Sequence, residues 1–398
     1  MDGLREIDEA DDAEDAAGRG DAGGTGGTGD PAPVAATGGA TAGGAPGSAA
    51  PADAGAFDAR VRLFGAAYRM LGSACEAEDV VRDAFAALGA GAIPGLIPGP
   101  TAGPGAGADS VAGLVAGAAP RLGAGQPAAP GAAGDPYTWL VRKVVGSAVR
   151  LAEAASRGRR EGHAGPWLPE PVLTEGGVLG VLGALETAEG RESVSMARLV
   201  RLERLPPRER AAYVLREVFG YGPAQTAAVL GPGLTEARCG SLQRRARQRV
   251  GGGEGAARTE EGERQRRRTV EELLRAAAEE DRPALEELLA DDVVAWSDAG
   301  GQPGAVRRPV LGVVKVGRFL AGLLPKAPEG AHGCVAEVNG DAAVVATVGS
   351  EVAGVLVPEF GTQGLVGVRM VADPARLVFL NRQWAARPPS GAGWPAHR

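Results

Sequence analysis

Two charged clusters carry the binding chemistry that this sequence offers. The first is basic. Arg238, Arg244, Arg245, Arg247 and Arg249 fall within the stretch Thr235–Val250. On one helix they make a cationic strip suited to a polyanion. Thr235 fits the N-cap of that helix. Upstream, Tyr221–Gly231 reads as a short helix closed by glycine. Ala227, four residues before Gly231, permits close helix crossing, so the pair predicts a helix-turn-helix. The second cluster is acidic. Glu76, Asp79 and Asp83 stand at i, i+3 and i+7, one side of a helix that turns Ala77, Val80, Val81, Ala84, Phe85 and Leu88 inward. A plain solvated helix face is the bland alternative for both clusters. No phosphate loop, GxSxG elbow or metal cluster occurs. Cys75, Cys239 and Cys334 lie far apart. They give neither a disulfide framework nor zinc spacing, as expected of a reducing cytoplasm. Cys239 is expected as a small buried hydrophobe rather than a redox group.

The elements that must hold these clusters occupy only part of the 398 residues. Residues 1–56 carry eleven acids and two arginines, a balance of −9, which leaves the other 342 residues near +2 although the whole chain is at −7. This acidic segment lacks apolar periodicity and is predicted to be disordered. Phe57, Val61, Phe64, Tyr68 and Leu71 then share a helical face. Ser73 and Glu76 fit a capping box for the acidic helix. In residues 89–134, 34 of 46 are Gly, Ala or Pro, which predicts a disordered insertion. Helical spacing resumes at Tyr137, Trp139, Leu140, Val144 and Val145, with Trp139 expected in the core. A stiff extended stretch follows, Gly165-Pro166-Trp167-Leu168-Pro169-Glu170-Pro171. Residues 176–219 look helical, with a start signal at Leu205-Pro206-Pro207-Arg208-Glu209. Beyond the glycine linker at 251–255, helices are expected at 268–280 and 283–289. Antiparallel-looking strands follow at 293–296, 343–348, 352–357, 365–371 and 376–380, an α+β domain. No apolar run is long enough to span a membrane.

Four blocks, in this order, resemble a bacterial extracytoplasmic-function (ECF) RNA polymerase sigma factor. Tyr68–Ser73 with Ala77–Phe85 resembles the core-binding part of region 2. Leu205–Arg210 with Leu215–Tyr221 is similar to the start of region 4. Gly165–Pro171 is similar to the linker of the subgroup that carries a C-terminal SnoaL-like (NTF2-like) domain. Ser297–Gly301, Arg307–Val310 and Asp373–Leu377 resemble that domain's signature loops. The resemblance implies a multidomain protein: all-α region 2 and region 4 (helix-turn-helix) domains, then an α+β SnoaL/NTF2-like cone. The implied layout is a tail at 1–56, region 2 at 57–160 with the 89–134 insertion, and a linker at 161–185. Region 4 follows at 186–250, a second linker at 251–264, the SnoaL-like domain at 265–384 and a tail at 385–398.

The resemblance also assigns roles. Glu78, Asp79 and Asp83 would meet core RNA polymerase at its β′ clamp helices, with the β flap as a further contact. Thr235, Arg238, Ser241, Arg244, Arg245 and Arg247 would read the −35 element of promoter DNA, while region 2 takes the −10 element. Trp167, Pro169, Glu170, Asp298, Gly300, Gly301, Asp373 and Pro374 would tie the C-terminal domain to the rest and let it regulate. The family's aromatic melting motif does not follow Leu88, where the insertion stands. Some SnoaL relatives use an Asp/His pair for acid–base work. Asp298 is present, but His332 sits in a Gly-rich loop, so no enzyme activity is expected. Neither a cofactor nor a metal is implied, no membrane is involved, and the SnoaL-like pocket is left open to an unknown small ligand. Two alternatives stand beside the sigma reading. One is a helix-turn-helix regulator that does not act as a sigma factor. The other is a small-molecule-binding SnoaL-like protein with a degenerate sigma part.

Overall fold

The first helix, α1 (Pro51–Leu71), begins six residues before the expected start at Phe57. A proline at a helix start is already set in φ and has no N–H to lose. The computed structural model describes residues 51–89, 136–162, 167–174, 194–251, 259–300, 306 and 308–387. The acidic tail through residue 50, the Gly/Ala/Pro-rich segment from 90 onward, Gly301, Arg307 and the last eleven residues therefore lie outside the described residues. Val61, Phe64, Tyr68 and Leu71 of α1 are buried, as their spacing predicts. Gly72 turns the chain at φ +67° into α2 (Ala74–Gly89), whose six expected inward residues are all buried. Helix α3 (Pro136–Gly162) adds Leu140, Val141, Val144, Val145 and Ala148. Trp139 is half-buried against this core.

The stretch expected as helical to residue 219, with a start signal at Leu205–Glu209, is two helices where it is described. Helix α4 (Met196–Glu203) stops, and α5 (Pro207–Phe219) starts afresh. Pro206 and Pro207 have no N–H for a continuing helix. Helices α6 (Pro223–Leu230) and α7 (Glu236–Val250) follow. Both helical groups share one core. Tyr137, Phe219, Tyr221, Val229, Ala246 and Val250 belong to the same buried cluster as Leu63, Phe64 and Tyr68. Polar bonds cross it too. Arg62 donates to the Val218 carbonyl at 3.0 Å, Arg142 to the Ala228 carbonyl at 2.7 Å, and the buried Arg210 to the Met70 carbonyl. All described residues fall in one compact unit.

The remaining elements are α8 (Glu260–Ala278), α9 (Arg282–Leu288), β1 (Leu289–Asp298), β2 (Val310–Leu311), α10 (Val313–Ala321), β3 (Ala331–Val338), β4 (Asp341–Val348), β5 (Glu351–Gly361), β6 (Gly364–Val371) and α11 (Pro374–Ala385). The sheet order is β2-β1-β6-β5-β4-β3. The pair β1–β6 is parallel and the others are antiparallel, so the sheet is mixed. One expected strand is overturned: residues 376–380 lie inside α11. Asp373 caps that helix by accepting from the Ala375 N–H at 3.0 Å, Pro374 opens it, and Leu377, Leu380 and Gln383 turn inward at helical spacing. A four-residue apolar run, Leu377–Leu380, does not alone separate strand from helix.

Both faces of the sheet are covered. Leu273, Leu285, Val316 and Leu320 from α8, α9 and α10 pack on one face with Leu356, Leu365 and Val368. The other face joins Val338, Val345, Val355 and Val357 to Leu377 and Leu380 of α11, to Met196 of α4, and to Leu168 and Leu173. Double coverage explains the continuous apolar run in β5, since neighbouring residues point to opposite cores.

Candidate nucleic-acid interface and interdomain strap

The helix-turn-helix is built as its sequence suggests. Cys239, Leu242, Ala246 and Val250 bury one side of α7, and Gln243 is buried among them. The Gln243 amide donates to the Tyr221 carbonyl at 3.1 Å and to the Thr226 hydroxyl at 2.9 Å, which fixes α7 on α6. Thr235 accepts from the Arg238 N–H at 3.3 Å and caps α7. Gly231 and Gly233 take φ of +89° and +95°, a turn that L side chains resist. On the outer side, Arg238, Arg244 and Arg245 are exposed, and no carboxylate pairs with them among the described residues. Arg247 differs: it pairs with Glu217 at 3.3 Å, as Arg249 pairs with Glu209 at 3.1 Å. The Ser241 hydroxyl donates to the Ala237 carbonyl at 3.1 Å and accepts from Arg244 at 3.2 Å, so it is engaged within its own helix. The unneutralised positive face is thus Arg238, Arg244 and Arg245, a surface that suits phosphates.

The acidic face of α2 is divided. Asp79 and Asp83 are exposed, Asp79 with Arg82 beside it as an ion pair. Glu78 instead meets Arg382 of α11 at 2.8 Å. Phe379 of the same helix stacks on Phe64 of α1, with ring centroids 5.7 Å apart. The N-terminus of α2 has a second capping group besides the expected Ser73. Ser73 does accept from the Glu76 N–H at 3.1 Å. The carboxylate at the α2 N-terminus, however, is that of Glu170. It accepts from the Ser73 hydroxyl at 2.7 Å and from the Ala74 and Cys75 N–H groups at 2.8 and 3.1 Å. Burial, and then this carboxylate, push the Cys75 thiol above its ordinary range. A thiolate is therefore scarce at neutral pH.

Glu170 belongs to a strap, Trp167–Thr174, that runs extended between the helices and the sheet. From Leu168 onward its backbone donors are all used. Leu168 donates to the Asp298 carboxylate at 3.0 Å, Glu170 to the Gly72 carbonyl at 2.8 Å and Val172 to the Asn339 side chain at 3.1 Å. Leu173 donates to the Gln383 side chain at 2.9 Å and Thr174 to the Glu337 carbonyl at 3.0 Å. Pro169 and Pro171 fall between these donors, where no N–H is needed. The Trp167 ring lies on Gly72, where a Cβ would stand 2.4 Å from the indole. Arg376 covers that ring at 4.6 Å and meets the Asp298 carboxylate at 3.1 Å. The Asp298 carbonyl accepts from the Ala372 and Asp373 N–H groups at 2.7 and 3.2 Å. Gly300, at φ +60°, leaves room for Asp373, whose carboxyl carbon would lie 2.6 Å from a Cβ there. Trp167, Pro169, Glu170, Asp298, Gly300, Asp373 and Pro374 therefore come together, while Gly301 lies outside the described residues.

Sequence reasoning missed the hub of this region. Asn339 is fully buried at φ +54° in the β3–β4 turn. Its side chain accepts from Val172 and donates to the Tyr68 hydroxyl at 2.7 Å and the Val194 carbonyl at 3.1 Å. Tyr68 in turn donates to the Glu170 carbonyl at 2.5 Å, and burial raises the phenol so far that it stays protonated. Asn339-Gly340 is a hairpin-turn dipeptide, a signal that was available. An Asp/His acid–base pair is not assembled. Asp298 is engaged with Leu168 and Arg376, and His332 is exposed on β3, with three strands between it and β1. Among the described residues no group of His, Cys, Asp and Glu is placed to hold a metal. No described helix is long and apolar enough to cross a membrane.

Comparison with known proteins gives the same picture. The family model for sigma-70, region 4 matches residues 199–250. The ECF RNA polymerase sigma factor SigJ of Mycobacterium tuberculosis is 30% identical over 208 residues, 52% of this chain. The match spans 64% of that relative's length. The crystal structure of SigJ from the same organism overlays with a TM-score of 0.56 at 24% identity, covering 81% of this chain and 97% of that one. The chain thus carries a segment that matches sigma-70, region 4, and in sequence and in fold it is similar to the extracytoplasmic-function sigma factor SigJ.

Proposed function

We propose that the chain binds core RNA polymerase and directs promoter-specific transcription initiation, without an enzymatic activity of its own, under the control of its C-terminal sheet domain. The observation that carries this reading is the exposed, unneutralised Arg238, Arg244 and Arg245 face of α7, inside the segment that matches sigma region 4. In this reading that face takes the −35 element, and Asp79 and Asp83 of α2 take the polymerase clamp by charge complementarity.

The packing supports a controlled rather than a constitutive factor. The −10 and −35 elements lie about 25 base pairs apart, roughly 85 Å of duplex at about 3.4 Å per pair. Here α1 and α3 pack directly on α5 and α6. The helical groups must part before both elements are occupied, and the sheet domain restrains them. Helix α11 also holds Glu78, one of the three acids assigned to polymerase. Asp79→Arg with Asp83→Arg tests the reading. Both sites are exposed, so the fold should be retained while capture of purified core polymerase and run-off transcription are lost. Capture at wild-type strength by a folded double variant refutes the assignment of α2.

A further inference from the structure

The sheet domain holds a cavity of about 240 Å³ between α8, α10 and the face of β3, β4 and β5. Its wall is aliphatic: Leu273 and Leu274 from α8, Leu320 and Leu323 at the end of α10, Val344 and Leu356 from the sheet. No ionisable side chain lines it, and Thr347 supplies its one hydroxyl. Two features make the room. Small residues occupy several wall positions, among them Ala277, Ala346 and Gly354. The β4–β5 pairing also slips between Ala346 and Thr347, next to Gly354. A bulge bends its strand and opens the sheet locally. Pro328 and Ala353 of the lining are exposed, so the cavity communicates with solvent. His332 does not reach it: Ala331 and Gly333 line the cavity, and the residue between them points to the opposite face.

We infer that this cavity is a binding site for a neutral, apolar small molecule, an aromatic or aliphatic hydrocarbon in chemical class. A wall without charges, and with the Thr347 hydroxyl as its one polar side-chain group, gives little compensation for desolvating a polar or ionic ligand. An apolar ligand has nothing to lose there and gains dispersion contacts on all sides. The volume exceeds the ~150 Å³ of an engineered apolar cavity that takes up benzene, so the site has room for an alkyl-substituted ring. The inference stands apart from the sigma reading, because it rests on the sheet domain alone.

The test uses the full chain with three probes: toluene, butylbenzene and benzoate, the last a charged near-isostere of toluene. Calorimetry and thermal melting should show saturable binding and a rising midpoint with toluene and butylbenzene. Benzoate should bind at least tenfold more weakly. Ala346→Leu fills the cavity from β4, and Ala277→Leu fills it from α8 as a second route should the first fail to fold. Either folded variant should lose at least tenfold in affinity for butylbenzene while keeping the wild-type capture of core polymerase. Absence of saturable binding by the wild type, benzoate binding as tightly as toluene, or full affinity in both variants would each overturn the inference.

Discussion

Glu170 offers the sharpest quantitative test of the strap. Its carboxylate is 7% exposed and satisfies three donors at the start of α2, the Ser73 hydroxyl and the Ala74 and Cys75 N–H groups. Glu170→Ala leaves these donors without an acceptor. Loss of an N-cap costs about 1 kcal/mol, and loss of a partly buried anion from a helix N-terminus about 1 kcal/mol more. The missing methylene adds about 0.8 kcal/mol. The expected destabilisation is therefore about 3 kcal/mol. Glu170→Gln keeps shape and acceptor oxygen. Its amide group can donate to Ser73, whose hydroxyl is free to reorient, so only the charge is lost, about 1 kcal/mol.

Urea unfolding of the full chain measures both losses, and one cooperative transition is expected because the helical groups share a core. Hydrogen exchange at the Ala74 and Cys75 amides locates the effect, since both should exchange faster in Glu170→Ala and nearly as in wild type in Glu170→Gln. A loss under 1 kcal/mol in Glu170→Ala, with unchanged exchange at these two amides, would refute the claim that the strap caps α2.

Two further outcomes follow from the geometry. Removing Arg238, Arg244 and Arg245 together should flatten the slope of log K against log salt for duplex DNA by up to about 2.7, at roughly 0.9 per phosphate. Glu217→Gln, which releases Arg247 from its ion pair, should steepen it, and unchanged slopes in both would place the DNA elsewhere. Spin labels at the exposed Ala86, Gln248 and Glu351 should report that core polymerase lengthens the Ala86–Gln248 distance and leaves Ala86–Glu351 unchanged. A constant Ala86–Gln248 distance in the bound state sinks the opening model.

The helices were legible wherever an apolar stripe met a capping residue. The α2 face, the Thr235 cap and the inward Cys239 all follow from spacing that local rules decide. Failures came where long-range partners decide. Ser73 and Glu76 satisfy the capping pattern, yet the carboxylate that caps α2 arrives from 96 residues downstream of Ala74. Residues 376–380 read as a strand because the run is short and apolar, whereas Asp373 and Pro374 start a helix there. Strand β3, Ala331–Val338, escaped notice because Ala, His and Gly are weak strand formers, and its pairing along β4 overrides propensity. The family resemblance brought Trp167, Glu170, Asp298 and Asp373 into one site before any geometry was known. It gave no hint of Asn339, which has meaning only once Tyr68, Val172 and Val194 surround it.

The strap also determines which parts can separate. Its donors and acceptors are divided between two neighbours. Gly72, Tyr68, Ser73, Ala74 and Cys75 hold it to the α1–α2 corner. Asp298, Asn339, Gln383 and Glu337 hold it to the sheet domain. Leu168 and Leu173 complete the apolar face of the sheet, and Phe379 of α11 enters the core of α1. Detaching the sheet domain from α1 and α2 would expose both surfaces and strand several buried polar groups, each a cost of about 1–3 kcal/mol. The ties from α5, α6 and α7 to α1 and α3 include fewer side-chain bonds, chiefly those of Arg62, Arg142 and Arg210, and each of these goes to a carbonyl at a helix end or turn. Helix α4 does touch the sheet, through Met196 and the half-exposed Arg201–Glu359 pair at 3.4 Å, but that contact is small beside the strap. In side-chain hydrogen bonds the seam between the helical groups is therefore the thinner one, and what closes it is chiefly their shared apolar core. In the opening proposed above, the sheet domain stays with α1 and α2 through the strap, although the chain reaches it only after α7.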